Sequence, residues 1–406
     1  MPVFAANHPV PPRRIAFLEL DFGRGGSLTC AINLAGEFVR RGLAVQIVCL
    51  HDRQPPPAEF ARLGIPTTSE SSRRIFEDRA VGALEKLKQF RPDVVVASMG
   101  VETCEGLRYL PPGVRRVGVI HAEIQMKFIP DHGAPLDCVV TVSERNRDFL
   151  AARFGSRLRI ECVEPGIPLP AGGPRLQRAE SEPLRVLYLG RLEDDGKRVR
   201  LFPAIFERLK NSGIPFVWTI AGEGPERQFL EENMKPGDDR QRVVFKGLVP
   251  YSEVPALLAE HDILLLTSDL ETFSLSLHEG MAAGLVPVVS DLPGRVGRMV
   301  TPERGIRVPV NHVDGYADAI IRLHRDRKKW RRMSLAAMAA IGPECSVEAM
   351  ADRWLAILPP VPETPVVWPV RWKLQVPRFA AKKRWWFSPP MRALRRLAAR
   401  VHPPSG

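Results

Sequence analysis

The sequence has 406 residues, of which 45% are hydrophobic and 26% charged, so we expect a globular protein of two domains. Its formal charge of +12 indicates an anionic partner of one of three kinds: nucleic acid, a membrane surface or a phosphorylated substrate. The six scattered cysteines form no C-x-x-C pair, which argues against a metal cluster and fits a cytoplasmic protein. We expect no signal peptide, because the first residues lack an apolar segment, and no run is long enough to span a bilayer.

The chain opens with strand-like apolar runs that alternate with helix-like segments, a pattern typical of a parallel α/β domain. The first predicted strand, Arg14–Leu20, leads into the glycine-rich loop DFGRGGS. Gly25 and Gly26 in this loop allow a sharp turn and a close approach to a ligand. The spacing differs from the G-x-G-x-x-G of a dinucleotide-binding turn, although Asp52 lies where a ribose-binding acid would be expected. An NAD-type dehydrogenase is therefore one alternative.

The rest of the first half adds three clear strands, Asp93–Ala97, Arg116–Ile120 and Cys138–Val142. His121 directly follows one of them, and the carboxyl end of a strand is a favourable place for ligand contact. Before these three strands, a second predicted strand, Ala44–Leu50, is followed by residues 51–71, which are predicted to be a long connection. Residues 72–81 have the mixed charge typical of a solvated surface, and a helix is predicted over residues 82–90.

The strand–helix rhythm restarts after a Pro- and Gly-rich stretch with the composition of a linker. Strand Leu184–Leu189 precedes the loop GRLEDDGKR, which contains Arg191 and Lys197. An arginine fork and a lysine point charge near a helix start suit a diphosphate, although surface basic residues are common in a basic protein. A later strand ends in Gly222-Glu223-Gly224-Pro225, which predicts a tight turn before a helix.

The most informative stretch runs from Ile263 to Asp291 and predicts strand, polar loop, helix and strand. Ser274 is a fair N-cap for the helix over residues 273–283, and Gly284 is a fair stop. Glu271 lies in the loop and Glu279 in the helix, at the carboxyl end of a strand, where such folds bind ligands. A carboxylate accepts hydrogen bonds from two adjacent hydroxyls, as a sugar or ribose offers. Taken in isolation, the two acids would be one solvated loop acid and one acid within a helix.

The pattern E-T-F-S-x-S-L-x-E-G-M-A-A-G-x-V-P-V-V-S in this stretch resembles the Glu-x7-Glu signature of the GT-B retaining glycosyltransferases. This large family includes sucrose synthase and bacterial mannosyl- and glucosyltransferases. The resemblance implies an α/β fold of two facing Rossmann-like domains with one parallel sheet each, a cleft between them and a C-terminal helix that crosses back. It extends over roughly residues 14–358. The implied segments are a first (acceptor) domain at 1–165, a linker at 166–183, a nucleotide-sugar domain at 184–345 and a crossover helix at 346–358.

The resemblance also implies roles for individual residues. Glu271 would hold the donor sugar, Glu279 the ribose, and Arg191 with Lys197 the donor diphosphate, while His121 would face the sugar near its phosphate. The remaining implied donor-binding residues are Gly25, Gly26, Gly222, Gly224, Phe273, Ser274 and Leu275. The implied reaction is transfer of a sugar from a nucleotide-diphosphate sugar with retention, without a metal and without a cofactor beyond that co-substrate. The chain has Lys197-Arg198 where the family usually has Lys-Gly.

The last segment, 359–406, lies outside the resemblance and holds ten Lys or Arg residues against one acid, so most of the net charge resides in it. It also holds four of the seven tryptophans, Trp368, Trp372, Trp385 and Trp386, and an amphipathic stretch follows Met391. Basic residues with interfacial tryptophans suit an anionic membrane surface. Interleaved Arg and Trp also suit single-stranded nucleic acid, and a tail that is solvated or packed on the body is the third alternative.

We therefore predict a cytoplasmic glycosyltransferase on the inner face of a membrane, which acts on a carbohydrate or lipid-linked acceptor such as a glycolipid or surface polysaccharide precursor. Nucleic acid is the less favoured partner. The alternative of another class is a catalytically silent protein that uses the same fold as a membrane or nucleic-acid scaffold. The presence of Arg191, Lys197, Glu271 and Glu279 argues against it, because a silent protein would not need all four.

Overall fold

The computed structural model describes residues 14–23, 25–70, 76–129, 136–170, 182–235, 241–361 and 365–372. These residues form two α/β domains, each built on a sheet in which every strand pairs parallel to its neighbours. Parallel strands buried on both faces account for the apolar runs seen in the sequence. The GT-B architecture expected from the resemblance is thereby confirmed.

The first domain contains a seven-stranded sheet in the order β3-β2-β1-β4-β5-β6-β7. Its strands are β1 (Arg14–Glu19), β2 (Ala44–Cys49), β3 (Thr67–Ser69), β4 (Val94–Ser98), β5 (Arg115–Ile120), β6 (Cys138–Thr141) and β7 (Ile160–Cys162). Its helices are α1 (Gly26–Arg40), α2 (Ala58–Arg62), α3 (Phe76–Phe90), α4 (Val101–Arg108) and α5 (Glu144–Phe154). The order reverses between β1 and β4, and such a switch point opens a crevice at the carboxyl ends of the strands.

The second domain contains a six-stranded sheet in the order β10-β9-β8-β11-β12-β13. Its strands are β8 (Leu184–Leu189), β9 (Phe216–Ala221), β10 (Gln241–Gly247), β11 (Ile263–Leu266), β12 (Val286–Ser290) and β13 (Ile306–Val308). Its helices are α6 (Phe202–Asn211), α7 (Arg227–Asn233), α8 (Val254–Ala259), α9 (Leu275–Ala282), α10 (Arg295–Met299), α11 (Val313–Arg325) and α12 (Arg327–Ala339). Here the switch point lies between β8 and β11, the two strands that lead into the loops of Lys197 and Glu271.

The last helix, α13 (Val347–Ile357), returns to the first domain. Its Met350 and Trp354 are buried in the same apolar cluster as Phe17 of β1. At its start, Val347 N–H donates to the carbonyl of Ile167 at 3.1 Å, next to the point where the chain leaves the first domain. The two chain crossings between domains are therefore hydrogen-bonded to each other, and the predicted crossover of the C-terminal helix is confirmed.

After α13 the chain lies across the first domain. We call residues 365–372 the strap. Trp368 and Trp372 of the strap pack against the cluster that includes Leu84 and Leu107, with their rings edge to face at 6.3 Å. Lys88 Nζ donates to the carbonyl of Val370 at 3.3 Å. Two of the four tail tryptophans are thus packed on the body, whereas Trp385, Trp386 and the stretch after Met391 lie outside the described residues.

Two local predictions were wrong. Residues 72–81 were expected to be solvated surface. Residues 72–75 lie outside the described ranges, but α3 begins at Phe76, and Ala80 is buried. The reason is that Ala83, Leu84 and Leu87 share one helix face that packs in the apolar cluster on the sheet, while Arg79 is itself buried and pairs with Glu102 at 3.3 Å. Residues 51–71 were expected to be a connection, yet they contain the short helix α2 and the edge strand β3.

None of the helices within the described ranges is both long and apolar enough to cross a membrane.

Candidate active site

The central feature of the second domain is an ion pair between Lys197 and Glu271. Lys197 Nζ donates to Glu271 Oε1 at 2.7 Å, and the Ser268 hydroxyl donates to the same oxygen at 2.7 Å. Only 9% of the Glu271 side chain and 23% of the Lys197 side chain are exposed. Two residues that sequence reasoning assigned to the donor site are therefore in direct contact at the switch point of the sheet.

The loop that carries Lys197 is held by the loop after β11. The hydroxyl of Thr267 donates to the carbonyl of Lys197 at 2.9 Å, and Asp269 N–H donates to the carbonyl of Gly196 at 3.2 Å. Arg198 has φ of 55°, the left-handed region that glycine would adopt without strain. An ion pair between Arg198 Nε and Asp269 at 2.7 Å holds it there, which explains how the turn forms without the usual glycine.

Arg191 lies in the same loop but points elsewhere. Its side chain is 60% exposed and forms an ion pair with Glu193 at 2.7 Å. Its carbonyl accepts a hydrogen bond from the buried Tyr188 hydroxyl at 2.6 Å. The structure therefore fixes the backbone of Arg191 beside β8, whereas its guanidinium is paired with a neighbouring acid rather than with Glu271.

Gly222 and Gly224 form the tight turn after β9 and lie against the Lys197 loop. A Cβ on Gly222 would come within 1.8 Å of the carbonyl oxygen of Gly190, and one on Gly224 within 2.1 Å of that of Leu192. Leu192 N–H donates to the carbonyl of Glu223 at 2.9 Å. Only hydrogen atoms fit between these backbones, so both glycines are needed to bring the two loops together.

The start of α9 differs from the prediction for Ser274. This residue occupies the N-cap position, but its φ of 66° and ψ of 81° are left-handed, and its side chain makes no capping hydrogen bond. Its hydroxyl oxygen is buried and finds no partner within the described residues. The first amides of α9, after Phe273, are therefore left uncapped by a side chain, an arrangement that can accept an anion.

Glu279 lies on α9 beside the first domain. It is half-buried, and desolvation raises its pKa to about 7, against a smaller opposing effect of the nearby Tyr251 hydroxyl. The glycine loop of the first domain faces the same helix, because a Cβ on Gly26 would lie 3.4 Å from Leu275 Cδ1. Gly25 precedes it as the N-cap of α1. The residues implied for the donor thus come from both sides of one interdomain cleft.

His121 lies in the first domain. It follows β5, and burial lowers its pKa to about 4, so its imidazole is neutral. It lines a cavity of about 30 Å³ with Glu19 and Ser98, which end the neighbouring strands β1 and β4. Burial raises the pKa of Glu19 to about 7. Sequence reasoning missed Glu19, although an acid that ends an otherwise apolar strand was a usable signal.

The sequence analysis also missed residues that support the loops or the start of α9, namely Ser268, Asp269, Tyr251, His278 and Arg295. Their contacts depend on tertiary structure, so no local pattern in the sequence indicates them. Among the residues described by the structure, no cluster of three or more His, Cys, Asp or Glu side chains could hold a metal ion.

Both halves of the chain match family models. Residues 24–169 match the model "Glycosyltransferase Family 4", and residues 175–339 match "Glycosyl transferases group 1". The second range contains the Lys197–Glu271 pair, the Gly222 turn and α9.

Comparisons with individual proteins agree with these matches. The chain is 29% identical over 202 residues to a glycogen synthase of Mycobacterium tuberculosis, which covers 50% of this chain and 49% of that protein. It is 30% identical over 179 residues to the 2-deoxystreptamine glucosyltransferase of Streptomyces kanamyceticus, over 40% and 46% of the two chains. The matched part thus spans about half the length of these curated relatives.

Solved structures show the same fold. A glycosyltransferase from Rickettsia africae superposes with a TM-score of 0.66 at 15% identity, over 85% of this chain and 97% of that one. HepE of Anabaena in complex with UDP and glucose gives a TM-score of 0.64 at 16% identity, over 85% and 98%. Taken with the two family models, these findings show that the chain belongs to the GT-B glycosyltransferases of the Glycosyltransferase Family 4 and group 1 type.

Proposed function

We propose that the protein is a retaining glycosyltransferase that moves a sugar from a nucleotide-diphosphate sugar to an acceptor hydroxyl. The observation that carries the proposal is the Lys197–Glu271 pair at the switch point of the second sheet, where family membership and geometry coincide. A lysine ammonium paired with one carboxylate can exchange part of that interaction for a bound diphosphate. The carboxylate is then available to the hydroxyls of a sugar.

Each implied residue then has one task. Lys197 and the first amides of α9 stabilise the negative charge that develops on the leaving diphosphate, and Arg191 joins them when its guanidinium leaves Glu193. Such preorganised groups act where charge develops in the transition state. Glu271 holds the donor sugar and Glu279 the ribose hydroxyls. His121, which is neutral, faces the sugar from the first domain as a hydrogen-bonding partner rather than a cation.

The transfer breaks the bond between the anomeric carbon and the diphosphate oxygen and forms a bond from that carbon to the acceptor oxygen on the same face. The proton of the acceptor hydroxyl passes to the leaving phosphate oxygen. This route follows the family expectation and requires no protein nucleophile. Glu271 is assigned to binding because its carboxylate is already engaged by Lys197 and Ser268.

The acceptor is proposed to be a carbohydrate or a lipid-linked glycan at the inner face of a membrane. Residues 373–406 hold nine Lys or Arg and no acid, and each basic residue near an anionic surface contributes about 1 kcal/mol, an attraction that salt screens. The structure of HepE contains UDP and glucose, which makes UDP-hexoses the first donors to test. Transfer to a small acceptor is the second candidate, because one matched relative is a 2-deoxystreptamine glucosyltransferase.

The decisive experiment is calorimetry with UDP-, GDP- and ADP-sugars on the wild type, Lys197→Ala and Glu279→Ala. Lys235→Ala is the matched control, because Lys235 is an exposed lysine of the same domain. A single donor base that binds the wild type and the control but not the two site variants would support the proposal. If no nucleotide-sugar binds and none is turned over, the silent scaffold replaces it.

A further inference from the structure

A continuous series of contacts connects the first domain to the start of α9. Glu164, at the end of the first domain, forms an ion pair with Arg295 NH1 at 2.8 Å. Arg295 Nε donates to His278 Nε2 at 3.0 Å, and His278 Nδ1 lies 2.9 Å from the carbonyl oxygen of Ser274. Three hydrogen-bonded steps therefore separate an acid of one domain from the left-handed residue that begins α9 in the other.

The chemistry of the groups fixes the direction of these bonds. A guanidinium can only donate, so His278 Nε2 must accept and the ring proton must reside on Nδ1. Nδ1–H then donates to the carbonyl of Ser274. His278 is fully buried, and desolvation together with the charge of Arg295 lowers its pKa to about 4, which keeps it in this neutral form. Arg295 thus selects the tautomer that holds Ser274.

The same two side chains also hold Phe273. Its ring stacks on His278 with centroids 4.1 Å apart and planes inclined by 8°. The Arg295 guanidinium lies 5.6 Å from the centre of the Phe273 ring. Because Ser274 has a backbone conformation that L-residues rarely adopt, its geometry must be maintained by neighbours of this kind.

Arg295 is placed where the domains meet. Glu164 precedes the turn at which the chain leaves the first domain, and Arg295 NH2 lies 3.6 Å from Cys345 Sγ, just before α13. Arg298, one helical turn away, pairs with Glu144 at 3.1 Å and with Glu164 at 3.6 Å. Both arginines thus join the domains, but in the described structure only Arg295 is bonded to His278.

We propose that Arg295 and His278 are positioning residues that couple domain closure to the donor site. When Glu164 engages Arg295, His278 holds Ser274 and Phe273 so that the first amides of α9 face the diphosphate. When the domains separate, Arg295 loses that partner and the start of α9 relaxes. The inference rests on the proposed function, because it assigns the diphosphate to α9. Coupling between two sites commonly changes affinity by about 5- to 150-fold.

The test compares Glu164→Gln with Glu144→Gln. Each variant removes one interdomain carboxylate, but only Glu164 pairs with Arg295. Calorimetry would measure the affinities for UDP and UMP, with the pairs ADP/AMP and GDP/GMP in parallel, because the second phosphate reports on the α9 amides. We expect Glu164→Gln to weaken diphosphate binding about tenfold while the monophosphate changes less than about twofold. Glu144→Gln should leave both affinities unchanged.

A double-mutant cycle between Glu164→Gln and His278→Leu completes the test. The two substitutions should be non-additive in diphosphate affinity, since they interrupt one series of contacts. Equal diphosphate affinity in Glu164→Gln and Glu144→Gln, or full additivity in the cycle, would overturn the coupling while leaving the proposed function intact. Failure of the wild type to bind any of the nucleotides would instead overturn the proposed function, and the inference with it.

Discussion

Lys197 and Glu271 are 74 positions apart in the sequence, and their side chains meet at 2.7 Å on neighbouring loops of one sheet. The contact exists because β8 and β11 are adjacent across the switch point, although two strands lie between them in the chain. The Lys197 ammonium and the Glu271 carboxylate are both largely buried, and each can bind a polar ligand.

Replacing Glu271 by Gln should impair transfer far more than stability. The amide keeps the shape of the side chain but cannot pair with Lys197 or accept as strongly from sugar hydroxyls, so kcat/KM should fall by about 10²-fold or more. Steady-state kinetics with the best donor would measure this. The control is Glu207→Gln, which breaks a Lys–Glu pair of 2.6 Å on the surface of α6. A similar loss in both variants would contradict a specific role for Glu271.

Replacing Gly224 by Ala should destabilise the second domain severely. The added Cβ would meet the carbonyl of Leu192 at 2.1 Å, and two backbones must separate to admit it, so the free energy of unfolding should drop by about 3 kcal/mol or more. Gly213→Ala is the control, because its φ of 73° is unfavourable but its surroundings are open, which should cost about 1 kcal/mol. Urea unfolding would measure both, and equal costs would show that the loop contact is not tight.

Nucleotide affinity should rise with pH between about 6 and 8. The pKa of Glu279 is raised to about 7 by burial, so only about a tenth of it is ionised at pH 6. If the carboxylate must accept from the ribose hydroxyls, affinity should increase about tenfold over this range. Calorimetry in Glu279→Gln should show a shallower pH dependence that reflects the ligand alone. Parallel profiles for the two proteins would refute the ribose assignment.

Stability should decrease as the pH falls from about 6.5 to about 4, in part because of His278. Its folded-state pKa is lowered to about 4, so between these values the unfolded chain binds a proton that the folded protein rejects. At pH 5 this difference in proton binding lowers the free energy of unfolding by about 2 kcal/mol. Urea unfolding at pH 7 and pH 5 should therefore show a smaller difference for His278→Leu than for the wild type. An unchanged difference would mean that His278 takes up its proton in the folded protein.

The strap and the residues after it should have separable roles. A chain that ends at Trp372 keeps the packing of Trp368 and Trp372 on the first domain, so its melting temperature should match that of the full chain. A chain that ends at Leu358 loses this packing and should be less stable by about 2 kcal/mol.

Both truncations should release the protein from vesicles of phosphatidylglycerol, because both remove the basic residues 373–406. Co-sedimentation with neutral phosphatidylcholine vesicles is the control. If the chain that ends at Trp372 still binds these vesicles, residues outside 373–406 make the membrane contact, and the role proposed for 373–406 is wrong.

The sequence by itself determined the alternation of strands and helices, the two-domain division and the family. Each of these depends on local patterns: apolar runs such as Ile263–Leu266, the left-handed Gly284 that ends α9, and the spacing of Glu271 and Glu279. The tertiary structure decided what local patterns cannot contain. Contacts across a switch point, such as Lys197 with Glu271, depend on strand order.

Two predictions that differ from the structure have the same physical reason. Serine is a residue type typical of an N-cap, yet His278 and Arg295 hold Ser274 in another conformation. Tryptophans among basic residues are typical of membrane anchors, yet the side chains of Trp368 and Trp372 are partly buried against an apolar surface of the first domain. The local N-cap preference of a serine is worth about 1 kcal/mol, and packing and hydrogen bonds to distant parts of the chain outweigh such a preference because several act together.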